Sequence, residues 1–247
     1  MRKEVALYVD EALGKYGFPD GHPWGTDRQN AFWKEATKQK LDQAADLTGS
    51  RTATAEEIAR FHGEDHVQRV HQLSDQGYGS IDYGDTPAFP GVYEATAHVV
   101  GAALDGLARV MAGDVLRTFQ PIGGLHHASR DNAAGFCVFN DCGVVIDTLR
   151  SQYGIKRVAY VDIDVHHGDG VQAIFWDDPD VLTISLHQDR NYPLDTGGIE
   201  ARGGGTARDA LLARHWDRAG DAARAAAWAA ARAAQECHLH KMIGGDA

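Results

Sequence analysis

Arg157-Val-Ala-Tyr-Val-Asp-Ile163, Asp169-Gly-Val-Gln-Ala-Ile-Phe-Trp176 and Val181-Leu-Thr-Ile-Ser-Leu186 are the three stretches whose reading decides the fold. The outer two are near-continuous apolar runs suited to strands, and the middle one reads as a short helix. Two such strands joined through a helix make a βαβ unit, which implies a parallel sheet covered on both faces. In open parallel sheets the ligand site lies beyond the carboxyl ends of the strands. The run Asp162-Ile-Asp-Val-His-His-Gly-Asp169 falls at that position.

Apolar and polar residues alternate through Tyr160–His166. Strand geometry puts Val161, Ile163 and Val165 on one face and Asp162, Asp164 and His166 on the other. An Asp-x-His pair projecting together is a chelate for a divalent metal. One carboxylate oxygen and one imidazole nitrogen suit zinc, and a catalytic zinc takes a third protein ligand plus a water. The bland alternative is a solvated loop of Asp and His, but five ionisable groups crowd the nine residues 162–170.

A second cluster lies upstream, Gly123-Gly-Leu-His-His-Ala128 followed by Gly135-Phe-Cys-Val-Phe-Asn-Asp141. Taken alone, adjacent histidines on a glycine-rich loop are more often structural or incidental than a metal site or an acid–base pair.

Further out, Val5–Val9 is a short β-like run, and Gly17–Gly25 is a loop rich in turn formers. Asp27-Arg28 leads into a polar amphipathic helix through about Leu41. Thr54-Ala-Glu-Glu57 reads as a capping box, opening a helix that carries Ile58 and Phe61 inward. Residues 76–91 form a long loop of the kind that is often functional. Small and apolar residues at helical spacing over 92–112 predict a buried helix. From about Thr206 the vocabulary changes, and residues 206–235 are nearly half alanine, with arginine next.

The 247 residues suit one large α/β domain or two small ones. A net charge of −11 argues against a nucleic-acid or anionic-membrane surface. Cys137, Cys142 and Cys237 make neither a disulfide framework nor a CxxC zinc pattern. The first twenty residues hold no apolar run of signal-peptide length. No stretch approaches the roughly 18 apolar residues that span a bilayer. A cytoplasmic protein is the expectation.

Together the two clusters resemble the signature blocks of the histone deacetylase family, which includes bacterial acetylpolyamine amidohydrolases and acetoin-utilization-type deacetylases. The resemblance runs from Gly21-His-Pro and Asp27-Arg28 through Thr196-Gly-Gly198 and fades near Gly205. It implies a three-layer α/β/α arginase/deacetylase-like fold with a mainly parallel central sheet. Residues 1–205 would be an incomplete catalytic domain lacking its C-terminal strands, and 206–247 an atypical tail, helical or disordered.

Carried over residue by residue, the resemblance implies Asp164 and His166 as two of three zinc ligands. His126 and His127 would be tandem active-site histidines, with His127 the general base and His126 its electrostatic or acid partner. Asp162 would orient His126, and Asp169 would orient His127. Phe136 and Tyr192 would wall a narrow tunnel for an acetylated aminoalkyl chain, with Gly135 letting the backbone pass close by. Asp85 matches an acidic rim residue that holds substrate backbone, and Arg28 an internal-channel arginine. The Asp162 and Asp164 region, with Ser185 and Leu186, matches a monovalent-cation (potassium) site. The implied activity is zinc-assisted hydrolysis of acetyl-lysine or acetylated polyamines.

Two family elements are not evident downstream: the third zinc ligand and a carbonyl-polarising tyrosine. No tyrosine follows Tyr192, and the closing Gly244-Gly-Asp-Ala247 offers only Asp246 as a third ligand. The compositional shift suggests a truncated or frame-shifted form of a longer enzyme. A non-catalytic remnant that binds metal or a partner is therefore the second reading, and an arginase-like binuclear manganese hydrolase the third.

Overall fold

The computed structural model describes residues 4–19, 21–188, 192–194 and 196–197. The Ala/Arg-rich tail, Asp246 and the expected loss of C-terminal strands lie outside these residues.

The chain opens with β1 (Val5–Tyr8) and a single helical turn, α1 (Glu11–Gly14), whose N-cap Asp10 accepts from the Leu13 amide. Next, α2 (Arg28–Lys38) stops short of the expected Leu41. Lys40 takes a left-handed φ of 60°, which breaks the helix before α3 (Leu41–Ala44) restarts it. After β2 (Asp46–Thr48) comes α4 (Ala55–Ile58), which carries the predicted capping box between Thr54 and Glu57. Ile58 and Phe61 are fully buried, as its pattern requires.

Two helices follow, α5 (Glu64–Gln76) and α6 (Val92–Met111), flanking the long loop. Then come β3 (Arg117–Phe119), α7 (Asp141–Tyr153), β4 (Val158–Asp162), α8 (Asp169–Ile174) and β5 (Val181–Ser185). The pattern reading passed over α5 and α7. Polar residues dominate the first, and the second has its start marked only by Asn140, whose side chain accepts from the Gly143 amide.

Every strand pairing among the described residues is parallel. The strands form two sheets, β2-β1-β3 and β4-β5, with Ala6 opposite both Asp46 and Thr118, and Tyr160 opposite Thr183. Helix α6 is the central buried element, with Ala97, Val99 and Val100 inaccessible. It lies so close to the 51–53 segment that a Cβ on Gly101 would stand 1.8 Å from the Arg51 carbonyl oxygen.

Along β4 the side chains alternate as the sequence predicts: Asp162 turns inward and is buried, and Val161 lies on the opposite face.

Candidate active site

The tandem histidines sit on the loop between β3 and α7, and the start of α7 holds that loop in place. The buried Asp141 carboxylate accepts from the amides of Gly124 at 3.0 Å and Leu125 at 2.7 Å. Asn140 Nδ2 donates to the carbonyls of His126 at 3.2 Å and Ala128 at 2.8 Å. The Asn140 amide in turn donates to His62 Nε2 at 2.8 Å. An amide can only donate, so His62 is neutral with its proton on Nδ1, facing the Arg130 carbonyl at 3.2 Å. Burial pushes the His62 imidazole down to about 3, against the pull of its carbonyl partner.

From the other side, the β4–α8 turn closes on the same loop. A Cβ on Gly170 would meet the Ala128 and His126 carbonyl oxygens at 2.5 and 2.6 Å, and one on Gly168 would meet Asp162 Oδ2 at 2.2 Å. Glycine at these positions lets the two segments meet. His126 Nδ1 lies 2.6 Å from Asp162 Oδ2, and His127 Nδ1 lies 2.7 Å from Asp169 Oδ1. All four groups are buried, and the two imidazole rings lie 3.9 Å apart.

Each carboxylate fixes its histidine with the proton on Nδ1, leaving Nε2 for chemistry. Burial alone would lower the His126 pKa, but the hydrogen bond and charge of Asp162 outweigh it and raise the value. Burial likewise opposes ionisation of Asp162. There the bond and charge of His126, with the Tyr160 hydroxyl, hold the carboxyl below its ordinary value.

Asp164 and His166 lie beyond the last residue of β4, in the bend that follows rather than on the strand. They still face one another, because Asp164 Oδ1 accepts from the His166 amide at 2.8 Å and lies 2.9 Å from His166 Nδ1. The same oxygen is 3.9 Å from His126 Nε2. A cavity of about 340 Å³ is lined by His126, His127, Gly135, Phe136, Asp164, His166 and Tyr192, with Arg28 and Trp24 at one side. The Arg28 guanidinium stacks 3.9 Å over the Trp24 ring.

Two larger clefts of about 600 and 770 Å³ share no lining residue with this cavity and contain no His–carboxylate dyad.

At the rim, Asp82 organises the loop by accepting from the amides of Gly84, Asp85 and Thr86. Asp85 is held by His22 Nε2, 3.0 Å from its carbonyl, and its carboxylate accepts from the Tyr192 hydroxyl. Phe136 has a positive φ of 69° and lies with its ring centroid 5.3 Å from that of Tyr192. Thus the structure brings together the site residues singled out from the sequence that lie among the described residues, with Asp162 and Asp169 behind the histidines and Asp85 above them; Asp246 lies outside them. Ser185 and Leu186 stand beside the same turn, where the Leu186 amide donates to the Asp162 carbonyl at 2.9 Å.

Four supporting residues escaped the sequence reading. Tyr160 donates to Asp162 Oδ2 at 2.7 Å, and Tyr16 donates to the Phe136 carbonyl at 2.6 Å while accepting from the Val138 amide. Asn140 and Asp141 are the others. Only Tyr160 left a usable signal, since it lies two residues before Asp162 and therefore on the same strand face.

As for a metal, Asp164 Oδ1 and His166 Nδ1 are spaced like two donors able to share one small cation with bonds of about 2.0–2.2 Å. Among the described residues no group of three or more His, Cys, Asp or Glu side chains converges as a full ligand set. The site fits a divalent cation through two donors.

Comparison with known proteins gives the family and the fold. The histone deacetylase domain family matches residues 22–238. The acetoin utilization protein AcuC of Bacillus subtilis is 36% identical over 214 residues, covering 83% of this chain and 54% of that protein. A histone deacetylase-like amidohydrolase of Pseudomonas aeruginosa is 38% identical over 176 residues, 66% of this chain and 46% of its own. The crystal structure of the HDA15 HD domain superposes with a TM-score of 0.76 at 28% identity, covering 84% of this chain and 60% of that one. The protein is an α/β protein of the arginase/deacetylase-like fold. It belongs to the histone deacetylase family, of the bacterial type, and spans about half the length of the curated relatives it matches.

Proposed function

We propose that the chain carries the site of a zinc-dependent deacetylase that hydrolyses the amide of an acetylated amine, from a protein lysine or a small polyamine. The observation that supports this most directly is the pair of His–Asp dyads, bonded at 2.6 and 2.7 Å, side by side on a cavity that also holds Asp164 and His166. Asp164 and His166 would hold the cation, which when bound supplies Lewis-acid polarisation of the acyl carbonyl and acidifies the attacking water.

The chain's own residues do the rest. Asp169 keeps the His127 proton on Nδ1, so His127 Nε2 accepts the proton of the attacking water. His126, its basicity raised by Asp162, holds a proton to give to the leaving nitrogen. Phe136, Tyr192 and Gly135 would enclose the aminoalkyl stem, Asp85 would receive a donor at the mouth, and Arg28 would draw acetate along its side of the cavity. Asp162 and Asp164, with Ser185 and Leu186, would hold potassium in a supporting role.

Cys137 and Cys142 are free thiols, in keeping with a cytoplasmic setting. No helix among the described residues is long and apolar enough to cross a membrane.

Acetate release from an acetyl-lysine peptide and from N-acetylputrescine, with and without zinc, tests the reading. The substrate that turns over distinguishes the protein source from the polyamine source. A second reading is a member that binds metal or a partner without turnover, since the described residues bring two donors, Asp164 and His166, to the site. Full zinc content without acetate release would establish it.

A further inference from the structure

Among the described residues, Lys40 and Phe136 are the non-glycine positions with a positive φ, 60° and 69°. Lys40 is an exposed helix break, whereas Phe136 is partly buried beside the tandem histidines. Ala134 and Cys137 exchange backbone hydrogen bonds of 3.1 and 2.8 Å around Gly135 and Phe136, closing a two-residue hairpin turn. Positive φ at both central residues, 54° and 69°, is the signature of a type I′ turn. Such turns favour asparagine and glycine. A phenylalanine there is strained and persists only where its surroundings hold it.

Two side chains from distant parts of the chain supply that hold. The fully buried Tyr16 donates to the Phe136 carbonyl at 2.6 Å and accepts from the Val138 amide at 3.1 Å. The fully buried Thr86 hydroxyl accepts from the Phe136 amide at 3.1 Å. Both backbone polar groups of the strained residue are therefore claimed by hydroxyls. Burial raises the Tyr16 pKa well above its ordinary value, so the phenol remains a donor.

The hairpin in turn backs one edge of His127. A Cβ on Gly135 would stand 2.5 Å from His127 Cδ2 and 3.0 Å from its Cγ. Cδ2 neighbours Nε2 in the ring, while Nδ1 is tied to Asp169. The glycine backbone and the carboxylate thus fix two points of the imidazole and so the direction of Nε2.

We propose that Tyr16 and Thr86 are positioning residues for His127: by holding Phe136 in its left-handed conformation, they keep Gly135 packed on the imidazole edge that carries Nε2. The inference rests on the deacetylase reading for the role of His127 as general base. Without the hydroxyls, Phe136 relaxes toward negative φ, the hairpin shifts, and Nε2 loses its fixed aim.

The test uses the whole chain with ¹⁵N-labelled histidine, read at the His127 Nδ1–H proton, the signal absent from His127→Ala. Tyr16→Phe removes the hydroxyl alone. It should displace that signal and lower kcat about 10- to 100-fold. Glycine holds a positive φ unaided. Adding Tyr16→Phe to Phe136→Gly should therefore displace the signal far less than adding it to the wild type, whereas a loss of core packing would act equally in both. Thr86→Val should show the same dependence on residue 136.

An unmoved His127 signal in Tyr16→Phe, equal displacement in the two backgrounds, or a displaced signal with unchanged kcat overturns the proposal. If Tyr16→Phe does not fold alone, recovery of the fold when Phe136→Gly is added supports the proposal, and failure there too overturns it. If the signal responds as expected but the wild type releases no acetate, the positioning of His127 stands and the deacetylase reading falls.

Discussion

At the scale of single residues, the account rests on His127 and the carboxylate behind it. Replacing His127 with alanine should lower the rate of acetate release by about 10²–10⁴ while leaving the circular dichroism spectrum unchanged. Asp169→Asn should retain binding of the acetylated amine but lose most of kcat, because the imidazole is no longer held with its proton on Nδ1. Equal rates for wild type and His127→Ala would remove His127 from the chemistry.

Much of this was legible in the sequence. The Asp-x-Asp-x-His-His-Gly-Asp run marks itself by its chemistry, the His-His dipeptide gains its meaning only beside that run, and alternation told which side chains share a face. Asn140, Asp141 and Tyr16 were not legible, because each acts on backbone groups of a loop whose position depends on the whole fold. A buried Asn donating to the His126 and Ala128 carbonyls looks, in sequence, like any helix N-cap.

At the scale of elements, the corner between α4 and α5 is tied to the catalytic loops through His62. The unfolded imidazole takes a proton near pH 6.5, whereas burial lowers the folded one to about 3. Between those values the unfolded chain holds more protons, so stability is lost as pH falls from 6.5 towards 3. Urea unfolding at pH 7, 5.5 and 4.5 should show His62→Gln less stable at pH 7. Its dependence on pH should be shallower than that of the wild type by about one proton, or ~1.4 kcal/mol per pH unit. An unchanged slope would show that His62 titrates normally in the fold.

Helix α6 offers a second check. Gly101→Ala forces a Cβ to 1.8 Å from the Arg51 carbonyl oxygen, and overpacking of this kind costs about 1–3 kcal/mol. A clear drop in Tm is expected, and an unaltered melt would mean that the 51–53 segment yields freely. The helix itself was legible from its run of small and apolar residues. Its close crossing was not, since spacing shows which face is buried but not what lies against it. The capping box was legible to the atom, whereas the early stop of α2 came from the backbone turn at Lys40, on which periodicity is silent.

At the scale of the whole molecule, the parallel architecture follows from the βαβ unit, and the site lies beyond the carboxyl end of β4, where that architecture puts ligands. Along β4 the alternation was legible in the sequence, and the contact that fixes the inward side was not: Asp162 faces inward to meet His126, which turns Val161 to the opposite face.

The central claim, a metal-assisted hydrolase site with two His–Asp dyads, is tested most directly by acetate release from acetyl-lysine peptide and N-acetylputrescine by the zinc-loaded chain before and after chelation. The account predicts release that stops on chelation, returns with added zinc, and is lost in His166→Ala. Failure of the zinc-loaded chain to release acetate from either substrate, or release indifferent to chelation and to His166→Ala, would contradict it.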